Sequence, residues 1–303
     1  MNLDDLELLK RVDSADMLRH IEALPDQLAD SWAHGHSLDL PADFGQVRQV
    51  VISGMGASSI GGELAACLVD DSSRVPVFVN RDYDLPAFAS GPDTLVIALS
   101  HSGDTEETLS ATRRAIERGT RLLAITTGGS LAPFASEADG IAWIYRYDSP
   151  PRAALGWLYG QVLAALSRLN VAPDLAQDVE ETVGLLRRTQ PRYSPENPTT
   201  KNIAKRIAGQ LVERFPVIWG AGLLAPVARR WKTQMNENAK SAAFFELLPE
   251  LNHNAVVGLD FPSDLMHKLA IIQLRSPKYD HIRVAIRHQV THDLFMQEAI
   301  LTE

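Results

Sequence analysis

The chain has 303 residues, 45% of them apolar and 22% charged, enough for one large globular domain or two medium ones. Its formal net charge of −9 argues against sequence-independent nucleic-acid binding, which needs a broad basic face, but leaves room for small anions held by a few local donors. A single cysteine, Cys67, excludes internal disulfides and cysteine-based metal clusters.

The opening "MNLDDLELLKRVDSADM" is acidic and lacks the apolar core of a signal peptide. No apolar run approaches the roughly 20 residues that span a bilayer, so a cytoplasmic protein without membrane attachment is expected. His34 and His36 form His-x-His, but no further ligands stand nearby in sequence, and both are expected to be exposed. "VRQVVISG" (Val47–Gly54) reads as a buried strand, followed by a helix through "GGELAACLVD" whose apolar pattern gives Cys67 a core position. "VPVFVN" (Val75–Asn80) reads as a second strand, with Pro76 pointing to an edge or a strand start. "DTLVIAL" (Asp93–Leu99) is a third, and the helix Glu106–Arg118 follows it. "RLLAIT" (Arg121–Thr126) and "IAWIYR" (Ile141–Arg146) complete the set. This alternation predicts an α/β fold of βαβ units, with a parallel sheet covered by helices on both faces.

A helix-rich segment runs from Arg152 to about Leu186, and the polar, proline-rich "RRTQPRYSPENPTTKN" (Arg187–Asn202) reads as a loop or linker. The pattern then restarts. "FPVIWGAGLLAPVARRWKTQMNENAK" (Phe215–Lys240) is again strand, Gly-x-Gly, helix, and Gly220 and Gly222 align with Gly54 and Gly56. This is the signature of an internal duplication, with domains expected at 1–150 and 151–303. The first copy carries Ser58 and Ser59 at its turn; the second carries Leu223 and Leu224. An anion site therefore belongs to the first. "HKLAIIQLR" (His267–Arg275) adds a strand to the second copy, and "HIRVAIRH" (His281–His288) fits a helix or a strand.

Open parallel sheets bind ligands outside the carboxyl ends of their strands. "GMGASS", "SHSGDT" and "TTGGS" (Thr126–Ser130) all fall there, each before a helix. Helix N-termini offer backbone N–H groups and a positive dipole end, and hydroxyls donate to phosphate oxygens without adding charge. Simple helix capping explains one such loop; three at equivalent strand ends favour a phosphomonoester site. A dinucleotide site is the rival, but the spacing Gly54, Gly56, Gly61 places Ser59 where that fingerprint has its third glycine.

The motifs "GMGASSIGG", "SHSGDTEETL", "ITTGGSLA", "PRAAL", "NENAK" and "ELNHN" occur in this order. Together they resemble the bifunctional phosphoglucose/phosphomannose isomerase family of the sugar isomerase (SIS) superfamily, over about Val47 to His253. The resemblance implies two SIS-type domains, each a mostly parallel sheet flanked by helices. It implies a homodimer with active sites shared at the subunit interface, and a sugar-phosphate substrate: glucose 6-phosphate or mannose 6-phosphate, interconverted with fructose 6-phosphate without metal or organic cofactor. Carried over residue by residue, Gly56, Ser58, Ser100, Ser102 and Thr105 hold the phosphate, Arg152 stabilises an enediolate, Glu237 is the base and His253 opens the ring.

The chemistry of these residue types agrees. One carboxylate can move a proton between C1 and C2, a cation stabilises a developing oxyanion, and imidazole exchanges protons near neutral pH. Away from the motifs, Glu237 would read as a solvated helix-end glutamate, Arg152 as an ordinary helix-start residue and His253 as a surface histidine. Two positions depart from the family. His101 replaces an aromatic residue and is expected to line the pocket. Asp104 replaces an asparagine, adding negative charge beside the phosphate unless its side chain faces away. Family members also continue past the equivalent of Glu303 into helices bearing a lysine that assists ring opening. No counterpart is found here, which keeps a truncated product, or a non-catalytic sugar-phosphate-binding regulator, as the alternative to the enzyme.

Overall fold

Uninterrupted apolar runs form the middle of a parallel sheet when both faces are covered. In the computed structural model, which describes residues 2–298 and 300–302, the first such sheet contains β1 (Gln49–Gly54), β2 (Val77–Asn80), β3 (Thr94–Ser100), β4 (Arg121–Thr126) and β5 (Ile141–Ile144). Their order is β2-β1-β3-β4-β5, all parallel. Pro76 lies just before the edge strand β2, where its missing N–H breaks no ladder bond.

The helices α1 (Leu6–Val12), α2 (Met17–Glu22) and α3 (Leu24–Ser37) precede the sheet. The helices α4 (Gly56–Val69), α5 (Glu106–Glu117), α6 (Leu131–Glu137), α7 (Leu155–Arg168) and α8 (Ala176–Thr189) connect or follow its strands. Successive strand residues point to opposite faces. Val50, Ile52, Leu95, Ile97, Leu123 and Ile125 share one cluster with Leu158, Val162 and Leu166 of α7. Val51, Val96, Ala98, Leu122 and Ala124 share the other with Ala111 and Ala115 of α5 and Leu131 and Ala135 of α6.

This compact unit runs from Lys10 to Pro191, beyond the division at residue 150 expected from the sequence, because α7 and α8 pack on α3. Gly156, Gly160 and Ala164 form one stripe along α7 and face Gln27, Ser31 and Gly35 on α3. A Cβ on Gly160 would fall 1.9 Å from the Ser31 Oγ, so the two helices meet backbone to backbone. Cys67 is half-buried on α4, at the margin of the core and not within it, and burial pushes its thiol pKa up. His34 corrects the sequence expectation: it is half-buried, edge-on to Trp157 at 5.8 Å, while His36 is exposed.

The second unit comprises Arg192–Glu303 with Met1–Leu9. Its sheet holds β6 (Phe215–Gly220), β7 (Phe244–Leu247), β8 (Leu269–Gln273) and β9 (Leu301–Thr302) in the parallel order β7-β6-β8-β9. Its helices are α9 (Ile203–Gln210), α10 (Ala225–Glu237), α11 (Ser263–Met266) and α12 (Ile282–Gln297). The duplication is visible in both topology and backbone. Each of β1 and β6 lies between the next two strands of its sheet, and Gly56 and Gly222 share a left-handed φ of 51° and 48°, which glycine adopts without steric cost.

"HIRVAIRH" opens the helix α12, because His288, Thr291 and Phe295 fall on one buried helical face. The polar stretch before α9 is more ordered than a linker. Asn202 is buried and caps α9 through bonds from Ala204 N and Lys205 N. Asp4 accepts from Thr199 N, Thr199 Oγ1 and Lys205 Nζ at 2.9–3.0 Å, which ties the first residues to this unit. Among the described residues, no helix is long and apolar enough to cross a membrane.

Candidate active site

Strand β1 leads to β2 on one side, and β3 leads to β4 on the other. The crevice beyond the carboxyl ends of β1 and β3 is therefore the topological switch point, where parallel sheets bind ligands. Gly56 turns the chain there and starts α4, placing Ser58 in the first helical turn, buried. The Ser58 hydroxyl accepts from the His101 backbone N–H at 3.3 Å, across the crevice. Ser100, also buried, lies 2.9 Å from the Thr105 hydroxyl and accepts from Gly103 N at 3.1 Å. Three of the expected phosphate residues, Ser58, Ser100 and Thr105, thus converge with Gly56 on one spot. Ser102 is exposed at the rim, its hydroxyl accepting from Asp104 N at 3.2 Å.

Capping does not explain these hydroxyls. Thr105 is the N-cap of α5 and Met55 that of α4, and neither side chain makes a capping bond.

The third polar loop plays a different part from the one expected. Thr127 donates to the His101 carbonyl through both N, at 3.1 Å, and Oγ1, at 2.6 Å. Ser130 donates to Asp104 through both N and Oγ at 2.8 Å. "TTGGS" is therefore a brace behind the "SHSGDT" loop. The two loops touch at Gly103, whose φ is +77° and whose missing Cβ would lie 2.0 Å from the Gly128 carbonyl oxygen. Asp104 turns its carboxylate to Ser130, whose donors hold its pKa below the usual carboxylate range. His101 corrects the expectation that it lines the pocket. Its ring is buried, with Nδ1 2.8 Å from the Tyr145 hydroxyl and Nε2 3.0 Å from the Ser149 carbonyl.

Arg152 is half-buried in a 3-10 turn, Pro151–Ala153, that leads into α7. Buried Gln27 fixes the far side of this turn, donating to Ala153 O at 3.0 Å and accepting from Gly156 N at 3.2 Å. Sequence reasoning missed Gln27 and also Arg81. Arg81 follows β2 and reaches the same crevice wall, donating from Nε to Ser59 Oγ at 3.0 Å and from a terminal nitrogen to Glu63 at 2.6 Å. The available signal was its position one residue past a strand's carboxyl end.

In the second unit, Glu237 is the last residue of α10, half-buried. Arg230 and Gln234 lie seven and three residues earlier, on the same helical face. Burial brings the Arg230 pKa down to about 10, against the opposing pull of the Glu237 charge. His253 is exposed at the end of the 3-10 turn Glu250–His253, after β7. Asn252 Nδ2 ties this turn to Thr291 Oγ1 of α12 at 2.8 Å. Because α10 returns the chain from the end of β6 to the start of parallel β7, Glu237 stands at the strands' amino edge. His253, in the turn that follows β7, stands at their carboxyl edge. Among the described residues, no group of three or more His, Cys, Asp or Glu side chains is placed to hold a metal ion.

A duplicated parallel α/β unit with a hydroxyl-lined switch point defines a SIS-domain protein. Residues 44–142 match the SIS domain family, and residues 200–302 match the bacterial phospho-glucose isomerase C-terminal SIS domain. The chain is 41% identical over 280 residues to the bifunctional phosphoglucose/phosphomannose isomerase of Caldicellulosiruptor bescii, covering 92% of this chain and 82% of that protein. It is 36% identical over 255 residues to the protein of the same name from Aquifex aeolicus, covering 84% and 74%. The chain belongs to the bifunctional phosphoglucose/phosphomannose isomerase family. The fold is also similar to that of tagatose-6-phosphate ketose/aldose isomerase from Escherichia coli, with a TM-score of 0.66 at 16% identity, covering 92% of this chain and 76% of that one.

Proposed function

We propose that this chain is an aldose–ketose isomerase that interconverts glucose 6-phosphate or mannose 6-phosphate with fructose 6-phosphate. The observation that carries this reading is the convergence of Ser58, Ser100 and Thr105 at the switch point of a chain that also has Arg152, Glu237 and His253 in the family's motifs. Backbone N–H groups at Gly56 and at the start of α5, with the three hydroxyls and Ser102 at the rim, bind the phosphate dianion. His253 relays the proton of the anomeric hydroxyl to the ring oxygen as the C1–O5 bond breaks, which leaves the C1 aldehyde of the open chain and the imidazole unchanged. The Glu237 carboxylate then removes the C2 proton of the open aldose. The C2–H electron pair forms the C1–C2 double bond, and the carbonyl pair moves onto O1. Arg152 stabilises that oxyanion. Glu237 returns the proton to C1, and the O2 hydroxyl proton passes to O1, leaving the C2 ketone.

The active species in this reading is a cytoplasmic homodimer in which His253 serves the partner's site. The separation of Glu237 and His253 on opposite edges of one sheet supports the shared arrangement. Assays of fructose 6-phosphate formation from both aldoses test the activity. Glu237→Gln is expected to bind sugar phosphate normally and to lose turnover by about 10²–10⁴-fold. In D₂O the wild-type protein should place deuterium at C2 of the aldose, and the variant should not. Turnover surviving in Glu237→Gln would move the base elsewhere.

A further inference from the structure

His101, after β3, bonds to the chain segments that follow β1, β4 and β5. Its backbone N–H donates to Ser58 after β1, and its carbonyl accepts from Thr127 after β4. Its ring reaches Tyr145 and Ser149 after β5. The Ser149 carbonyl can only accept, so Nε2 carries the proton and Nδ1 accepts from the Tyr145 hydroxyl. Tyr145 is itself fixed, stacked on Trp157 of α7 at 5.1 Å and 9°. Both ring nitrogens are spent on the protein, so His101 exchanges no proton with a substrate.

Its bond to Ser149 falls three residues before Arg152. Beyond Arg152, Gln27 holds Ala153 and Gly156, and Ser31 Oγ donates to the Gly156 carbonyl at 2.9 Å. The Pro150–Pro151–Arg152 turn is thus clamped on both sides, and the His101 clamp grows from the phosphate loop itself. We infer that His101 is a positioning residue that sets Arg152 in register with the Ser100–Thr105 phosphate cradle through the Nε2–H bond to Ser149. The inference rests on the isomerase reading for the role of Arg152, while the tether itself is independent of turnover. The distance of the oxyanion from the phosphate is fixed by the sugar carbon chain, so the protein must fix the spacing of the two groups that hold them. Misplacing a catalytic group by about 1 Å costs on the order of 10²-fold in rate.

Three variants test this: His101→Phe, which keeps the ring and loses both hydrogen bonds; His101→Gln, whose amide can keep the donor to Ser149; and Tyr145→Phe, which removes the donor to Nδ1. Amide exchange of the Arg152–Ala154 segment is measured by hydrogen–deuterium exchange, and inorganic phosphate binding by calorimetry. In His101→Phe, exchange at Arg152–Ala154 should rise about fivefold or more, the scale of one lost hydrogen bond, with phosphate affinity unchanged. The kcat should fall by about 10–100-fold with little change in KM. His101→Gln should restore most of the exchange protection and of kcat. Tyr145→Phe should shift both in the Phe direction by less, and it carries the test if His101→Phe does not fold. Unchanged exchange at Arg152–Ala154, a loss confined to KM and phosphate affinity, or His101→Gln as damaged as His101→Phe would each overturn the assignment. A wild-type protein without turnover would defeat the isomerase reading alone, because exchange and phosphate binding would still decide the tether.

Discussion

Asp104 shows how one side chain's direction decides its effect. A carboxylate beside a phosphate site opposes the ligand's charge, yet both Ser130 donors turn this one toward the neighbouring loop. Asp104→Asn keeps an acceptor for Ser130 and removes the charge. It is expected to tighten phosphate binding about two- to threefold at low ionic strength, with the gain shrinking in concentrated salt as the remaining field is screened. A calorimetric titration at two salt concentrations checks this. Ser100→Ala should act differently. It removes the partner of both Thr105 Oγ1 and Gly103 N, so it should lower stability by about 1 kcal/mol and weaken phosphate binding, read by denaturant unfolding and the same titration.

At the scale of elements, contacts between backbones hold the first unit together. The "SHSGDT" and "TTGGS" loops meet where a Cβ at Gly103 would overlap the Gly128 carbonyl. Gly103→Ala adds that overlap to a left-handed φ. It should cost about 1–3 kcal/mol from the backbone conformation alone, with loss of phosphate binding as the loops part. Helices α3 and α7 meet in the same way, so Gly160→Val should separate them. Overpacking of this kind costs about 1–3 kcal/mol or more, which thermal unfolding would register as a drop of several degrees.

For the whole molecule, buried histidines make folding stability depend on pH. Burial lowers the pKa of His101 and of His288 below the ordinary value near 6.5. The unfolded chain therefore binds more protons than the folded one as pH falls below 6.5. Folding stability should decrease with falling pH in that window, by up to about 1.4 kcal/mol per pH unit for each such histidine, until the folded-state pKa values are reached. Urea unfolding between pH 7 and pH 5 measures the slope, and His101→Gln should reduce it by one histidine's share. Assembly has its own test. If His253 serves the partner's site, mixed dimers of Glu237→Gln and His253→Ala chains should regain about half of the wild-type activity per dimer, one intact site in two, while each parent homodimer stays inactive. No recovery in verified mixed dimers would place both residues in one chain's site.

The sequence by itself carried the strands of the first sheet, β6 and β8 of the second, the duplication and the hydroxyl loops, while the short strands β7 and β9 went unread. Fully apolar runs such as "VVI" and "LVIAL" have few other places to go, and Gly56 and Gly222 mark turns whose φ demands glycine. The family motifs named the same chemistry residue by residue. Tertiary structure decided what depends on distant partners. The pairing of α3 with α7 is cryptic in sequence because it runs through Gln27, Ser31 and Gly35 on a stripe of small residues more than a hundred residues away. The third loop became a brace, and His101 left the pocket for the core, because both bond to segments that follow other strands. Hydrogen-bond partners far apart along the chain leave no pattern in the sequence; only folding brings them within reach.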